Sequence, residues 1–204
     1  MQKRYLIPGS DLRLEETIRR SRFIVSASHA PTASAAVKWI RAVKKEFNDA
    51  SHNCWAYVAG PPKKTNDIRS SDDGEPSGTA GRPMLNILLR SELGEIAAVV
   101  TRYYGGTKLG TGGLVRAYAG MVQKAVAAIP LIEKVDLVRL SITIAYPYIS
   151  ELKRLAGTYD AVIRDERYAE KAFLLLELPA DTQKGFEASL GALTKGDFDI
   201  SLEK

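Results

Sequence analysis

Asp72, Asp73 and Glu75 place three carboxylates within four residues, in the segment Ser71-Asp-Asp-Gly-Glu-Pro-Ser-Gly-Thr-Ala-Gly-Arg-Pro83. Carboxylates this close together could hold Mg²⁺ or serve as general acid and base. Asp73 followed by Gly74 also has the make-up of a tight Asx-type bend. The spaced ligand ladder and closing Glu of an EF-hand are missing. A second segment, Arg102-Tyr-Tyr-Gly-Gly-Thr-Lys-Leu-Gly-Thr-Gly-Gly-Leu-Val-Arg116, holds five glycines: Gly105, Gly106, Gly110, Gly112 and Gly113. Such a run calls for positive φ or for a backbone lying close to something. It sits between a predicted strand and a predicted helix, which aims backbone N–H groups at the space before the helix, where an anion binds. Arg102, Lys108 and Arg116 add positive charge there.

The glycine spacing excludes two nucleotide motifs. After Gly105 and Gly110 a Walker A loop requires Lys, and Thr111 stands there. After Gly110 and Gly112 a dinucleotide fingerprint requires a third glycine, and Val115 stands there. Contact with an RNA backbone, or with a peptide or protein, survives, as does the plainer reading that Gly112 and Gly113 allow close helix–sheet packing. Tyr103 and Tyr104 precede the loop; an exposed Tyr can stack on a base, and of two adjacent strand tyrosines at most one is available. His52 and Cys54 share a strand face about 6–7 Å apart, too far for a Cys-His catalytic pair. One His and one Cys do not make a zinc site. Cys54 reads as a small buried apolar residue, and Ser71 and Ser77 have no His base in their loop. No residue is assigned a catalytic or metal-ligating role, and no cofactor is expected.

The elements that must position these groups follow from periodicity. Residues 20–27 read as a strand, Phe23 and Val25 facing one side and Ile24 and Ser26 the other. Pro31-Thr-Ala-Ser opens a helix with Ala36, Ile40, Val43 and Phe47 on one face. His52–Val58 is a strand, residues 61–79 a long polar loop, and 84–90 a short helix with Pro83 in its first turn. Ile96–Thr101 has the length of a buried strand, and 114–129 is a helix offering Val115, Met121, Val122, Ala125, Val126 and Ile129 to the core. Pro130–Asp136 reads as a connector. Beyond it, strand 137–145, helix 148–157, strands 161–168 and 172–178, helix 182–193 and strand 198–202 give the order βαββαβ, a ferredoxin-like pattern. Two domains are therefore expected, 1–130 and 137–204.

The 204 residues include a single Cys and no apolar run of membrane length. The short apolar stretch after Met1-Gln-Lys-Arg is no signal peptide, and with no disulfide possible a cytoplasmic protein is expected. Residues 1–136 carry 20 Lys+Arg against 13 Asp+Glu, a net +7; residues 137–204 carry 9 against 11, a net −2. The basic N-terminal part suits a phosphate-rich partner such as RNA.

Arg20-Ser-Arg-Phe23, His52-Asn-Cys-Trp-Ala-Tyr57, the Ser71–Gly81 segment and Val100-Thr-Arg-Tyr-Tyr-Gly-Gly-Thr-Lys-Leu-Gly-Thr-Gly-Gly-Leu-Val-Arg-Ala-Tyr118 together resemble the IMPACT/YigZ family. The motifs span residues 3–130; the remainder matches in length and order only. The resemblance implies an α+β protein whose N-terminal domain is of the ribosomal protein S5 domain 2-like type. It implies a small ferredoxin-like domain after it, the pair being similar to two consecutive C-terminal domains of translation elongation factor G. Eukaryotic relatives regulate translation initiation by binding an activator of the amino-acid-starvation kinase, and they carry an additional partner-binding domain that this sequence does not show. What the resemblance implies here is a translation-linked protein contacting RNA, the ribosome or a translation-associated protein. The shared surface would be Ser71, Asp72, Asp73, Gly74 and Glu75 with Arg102, Tyr103, Tyr104, Gly105, Gly106, Lys108, Gly110, Gly112, Gly113 and Arg116. In that reading Arg102, Lys108 and Arg116 touch phosphate, with no DNA specificity and no membrane. The rival is a metal-dependent enzyme acting on phosphate esters, nucleotides or RNA, with Mg²⁺ on Asp72, Asp73 and Glu75; a third reading is a pure protein-interaction module.

Overall fold

The apolar run at Ile96–Thr101 becomes the middle of a sheet. In the computed structural model, which describes residues 4–203, it extends to Tyr103 and is buried along nearly its whole length. The strands around it are β1 (Arg4–Pro8), β2 (Leu12–Ile18), β3 (Ser21–His29), β4 (His52–Val58), β5 (Ile68–Ser71) and β6 (Ile96–Tyr103) itself. The five-stranded sheet has the order β2-β3-β6-β4-β5, every neighbour antiparallel. A strand buried on both faces needs cover on both. Helix α1 (Ala33–Glu46) covers one, seating Ala36, Ile40 and Val43 on Tyr57, Ala97 and Val99. Helices α2 (Gly81–Arg90) and α3 (Thr111–Ala128) cover the other, seating Met84, Leu88, Tyr118 and Met121 on Phe23, Val25, Cys54 and Val100. Thr32 caps α1 by accepting the Ala35 N–H at 3.1 Å, as Pro31-Thr predicts.

The sequence pattern departs from the structure in several places. The 61–79 loop is interrupted by β5, a short edge strand on β4. Helix α3 starts at Thr111, so Gly112 and Gly113 lie in its first turn rather than before it. Val115 faces outward at 37 % exposure, and Leu114, Ala117 and Tyr118 take its place in the core. The supposed connector contains β7 (Leu131–Val135), which pairs with β1. Strands β1 and β2 go unread in the sequence pattern, although Leu12, Leu14 and Ile18 alternate with Arg13, Glu15 and Thr17 along β2.

Among the described residues the chain divides into one unit, Tyr5–Lys134, and a second that joins Arg4 to the residues from Val135 onward. The second unit consists of β8 (Leu137–Ile144), a 3₁₀ turn at Tyr146–Tyr148, α4 (Ile149–Thr158), β9 (Val162–Tyr168), β10 (Ala172–Pro179), α5 (Gln183–Thr194) and β11 (Phe198–Glu203). Its sheet runs β11-β8-β10-β9, all antiparallel. Leu152, Ala156, Phe186 and Leu190 from the helices pack on Leu140, Ile142, Ile144, Leu174 and Leu176. Ion pairs Arg139–Glu177, Arg164–Glu177 and Arg167–Asp165 neutralise much of the charge on its strands. Together the two units make a mixed α/β protein. No helix among the described residues is long and apolar enough to cross a membrane.

Candidate nucleic-acid interface

The acidic segment folds as a tight turn: the Glu75 N–H donates to the Asp72 carbonyl at 2.9 Å, with φ of 43° at Asp73 and 86° at Gly74. Positive φ at both central positions is the pattern of a type I′ turn, which Asp-Gly tolerates. The side chain that organises the loop is Asp72 rather than Asp73. Its carboxylate accepts the backbone N–H groups of Gly78 (2.8 Å), Ala80 (2.9 Å) and Gly81 (2.8 Å), tying the loop to the start of α2. Partial burial pushes its acidity down, but the three backbone bonds outweigh that and hold the carboxyl below its ordinary range. Asp73 turns the other way, accepting the Asn53 N–H at 2.7 Å and the Lys44 ammonium at 2.5 Å, while its own N–H donates to Ser71 Oγ at 3.2 Å.

Glu75 is buried; Arg102 Nη1 (2.6 Å) and the Tyr118 hydroxyl (2.7 Å) both donate to its Oε1. The three carboxylates thus face three different sets of partners. Among the described residues no three His, Cys, Asp or Glu side chains come together as a metal site. The Mg²⁺ cluster required by the enzyme reading is not formed. Nor do His52 and Cys54 make a nucleophile. The Cys54 S–H donates to the Asp72 carbonyl at 2.9 Å, and burial pushes the thiol up to about 12.

In the glycine-rich segment, the residue that needs to be glycine for packing is Gly105. A Cβ there would lie 1.8 Å from the Arg20 carbonyl oxygen, so the end of β6 lies against the β2–β3 turn. Gly112 faces open space, and a Cβ on Gly113 would meet only the Leu109 side chain. These two glycines therefore do not serve helix–sheet packing. Gly110 occupies the N-cap of α3 at φ 73°, and Gly106 turns the loop at φ 81°. No side chain caps α3 and its first turn holds no acid.

Lys108 and Arg116 are exposed and have no carboxylate partner among the described residues, as a phosphate contact requires. Arg102 differs from its sequence assignment. It is 6 % exposed and ion-paired to Glu75; it also donates to Ser21 Oγ at 3.2 Å and lies 5.4 Å from the rings of both Phe23 and Tyr104. Its charge is committed inside the protein, so it is a positioning residue. One donor is left over: Arg102 Nε is buried and has no hydrogen-bond partner among the described residues. Tyr103 is held by Asp49, to which its hydroxyl donates at 2.7 Å, whereas Tyr104 is 48 % exposed. Tyr104 is thus the available ring.

The two segments meet. Glu75 and Pro76 from the first, with Tyr104, Lys108, Leu109 and Thr111 from the second, line a hollow of ≈ 430 Å³, and Arg102 forms part of its wall. Arg116 lies outside it, beside Arg19 in a neighbouring hollow that shares Leu109. Arg19 and Arg20 form the two-residue turn between β2 and β3 at φ 45° and 68°, and neither has a carboxylate partner among the described residues. The sequence reading misses both, since neither Gly nor Asn marks the turn. It also misses Tyr118, whose role exists only through tertiary placement.

This arrangement defines an α/β protein whose basic unit presents a glycine-built, cation-rimmed hollow at the start of a helix. The model of the Impact N-terminal domain matches residues 19–126, which hold every element of that hollow. A second model, described as a domain of unknown function (DUF1949), matches residues 142–197. The chain belongs to the IMPACT family. It is 39 % identical over 196 residues to IMPACT family member YigZ of Escherichia coli, covering 96 % of each chain. It is 40 % identical over 198 residues to an IMPACT family member of Haemophilus influenzae, covering 97 % of this chain and 96 % of that one. A crystal structure described only as that of a hypothetical protein is 38 % identical, matches with a TM-score of 0.70, and is covered to 99 % by all of this chain.

Proposed function

We propose that this chain is a translation-linked binding protein that grips RNA phosphate through the Tyr5–Lys134 unit, the ribosome being the RNA's source. The observation that carries the reading is the set of exposed, unpaired cations around the uncapped start of α3: Lys108 and Arg116, joined by Arg19 and Arg20 from the adjoining turn. Cations already neutralised by carboxylates would have little to offer a phosphate; these are not neutralised. The translation link comes from the family resemblance, and cytoplasmic placement follows from that partner. The same resemblance supports an S5 domain 2-like fold for the first unit. The order βαββαβ with strand order β11-β8-β10-β9 supports a ferredoxin-like second unit. That unit, with its paired charges, positions the first or mediates assembly.

Co-sedimentation with ribosomes across a salt series tests the reading, comparing the native protein with Lys108→Ala/Arg116→Ala. Binding should weaken with salt at a slope of about −0.7 per phosphate contact on single strands, and the double variant should lose about two contacts' worth of slope. Ribosome binding that ignores salt, or none at all, would sink the idea.

A further inference from the structure

We propose that the groove between α1 and β5 receives an extended acidic peptide, which adds to the open edge of β5 as a further strand. The site is separate from the phosphate-gripping surface above, since α1 and α3 cover opposite faces of the sheet. Its backbone comes first. Among the described residues β5 ends the five-stranded sheet and pairs only with β4. The Ala59 N–H donates to the Asp67 carbonyl at 2.9 Å, so residues 59 and 67 stand as a hydrogen-bonded pair just outside the two strands. Antiparallel ladders alternate, so Arg69 and Ser71 bond inward to β4, while the N–H and C=O of Ser70 and the C=O of Ile68 face outward. An outward row of this kind is what an added strand binds.

Beside this edge lies a groove of ≈ 630 Å³, with Val37 and Tyr57 among its apolar lining and Lys38, Arg41 and Arg69 as its cations. Arg69 stands opposite Tyr57 in the register, so it points to the α1 side of the sheet. Lys38, Arg41 and Lys45 follow one another at steps of three and four residues, a single row along the exposed side of α1. Among the described residues none of these cations is ion-paired, not even Arg69 with Asp67 two residues away, whereas Lys44 is held by Asp73. Charge therefore selects the occupant. A basic strand would be repelled and an apolar one would cover the cations without neutralising them, while carboxylates at alternate positions match them. A nucleic acid fits the groove less well, because its one ring, Tyr57, is 1 % exposed and offers no face on which a base can stack.

The test titrates the full chain with a capped octapeptide alternating Glu with Thr, following fluorescence anisotropy and backbone amide signals. Binding should shift the Ser70 amide and slow its hydrogen exchange. Lys38→Glu/Arg41→Glu should weaken binding about tenfold or more while Tm holds, both side chains being exposed. The same peptide with Lys in place of Glu should not bind. Two further peptides carry N-methyl groups on every Glu or on every Thr. Their charge is equal and they differ in which edge keeps its N–H donors, so one should bind and the other should fall about tenfold. Equal affinity for those two, an unmoved Ser70 amide, or undiminished binding to Lys38→Glu/Arg41→Glu overturns the added strand. A single-stranded RNA hexamer that displaces the peptide and shifts the same Ser70 amide overturns it as well, in favour of phosphate on this face. Lys108→Ala/Arg116→Ala should leave peptide affinity unchanged, so a failure here leaves the ribosome reading standing, and a failure of ribosome binding leaves the groove.

Discussion

Arg102 brings a full positive charge into the protein, and Glu75 is what makes that tolerable. Both side chains are nearly sealed, at 6 % and 4 % exposure, and Tyr118 supplies a further donor to the same carboxylate oxygen. Removing one member of such a pair leaves the other charged and uncompensated, at a cost of about 3–5 kcal/mol. Glu75→Gln should lose stability of that order in urea denaturation, and Glu75→Gln with Arg102→Met together should lose less than the sum of the two. Cys54 gives a second check. With its thiol pushed up to about 12 and its S–H committed to the Asp72 carbonyl, it should resist iodoacetamide at pH 8 in the native protein and react on unfolding. Mass spectrometry reads both states. The sequence shows that Arg102 and Glu75 are charged and lie near glycine loops. It does not show that they neutralise each other, because that depends on β6 and the 72–75 turn coming face to face.

Among the elements, the legible ones are those with a strong period or punctuation. The helix at Ala33–Glu46 carries an apolar stripe behind a Thr cap, and the strand at His52–Val58 stops at Gly60. The elements that escape lack such marks. β5 has no alternating pattern and exists because β4 offers an edge. β7 passes for a connector because its partner β1 lies far away in sequence. The β2–β3 hairpin turns on Arg19-Arg20, two non-glycine residues at positive φ, where Asn-Gly is the usual pair. Left-handed backbone at such residues costs about 1–2 kcal/mol each. Arg19→Asn/Arg20→Gly should therefore raise stability by about 1–2 kcal/mol in thermal denaturation while weakening ribosome binding in the salt series. A loss of stability would show that the arginines are held by contacts the turn needs. At the start of α2, Asp72→Ala removes the acceptor of three N–H groups and should cost about 1–2 kcal/mol.

Over the whole molecule, charge and acid stability have identifiable seats. The basic excess lies in the part with the glycine loops, while the C-terminal part is slightly acidic. The first unit is fastened by Glu95, a buried carboxylate that receives the Tyr5 hydroxyl at 2.8 Å, His29 Nε2 at 2.7 Å and the Lys134 ammonium. Burial alone would raise its affinity for a proton; the bonds from Lys134, His29 and Tyr5 more than reverse this and hold the carboxyl below its ordinary range. A carboxyl more acidic folded than unfolded stabilises above its unfolded value, and that contribution disappears as pH falls through the folded one. Urea midpoints should therefore decline from neutral pH into the acid range, and Glu95→Gln should be less stable at pH 7 with a flatter decline. An unchanged slope in that variant would place the acid sensitivity elsewhere.

The fastening has a topological corollary. Gly9 donates to the Pro130 carbonyl at 2.8 Å, and Lys134 lies 5.9 Å from the Tyr5 ring, so the unit's first and last strands end side by side. A fold whose ends meet can be circularly permuted, or spliced into a loop of a host protein, without straining its interior. Joining Lys134 to Tyr5 by a short linker and reopening the chain in the polar 61–67 segment would keep β2 through β6, α2, α3 and the glycine-built hollow intact, a cassette that travels without the rest of the chain.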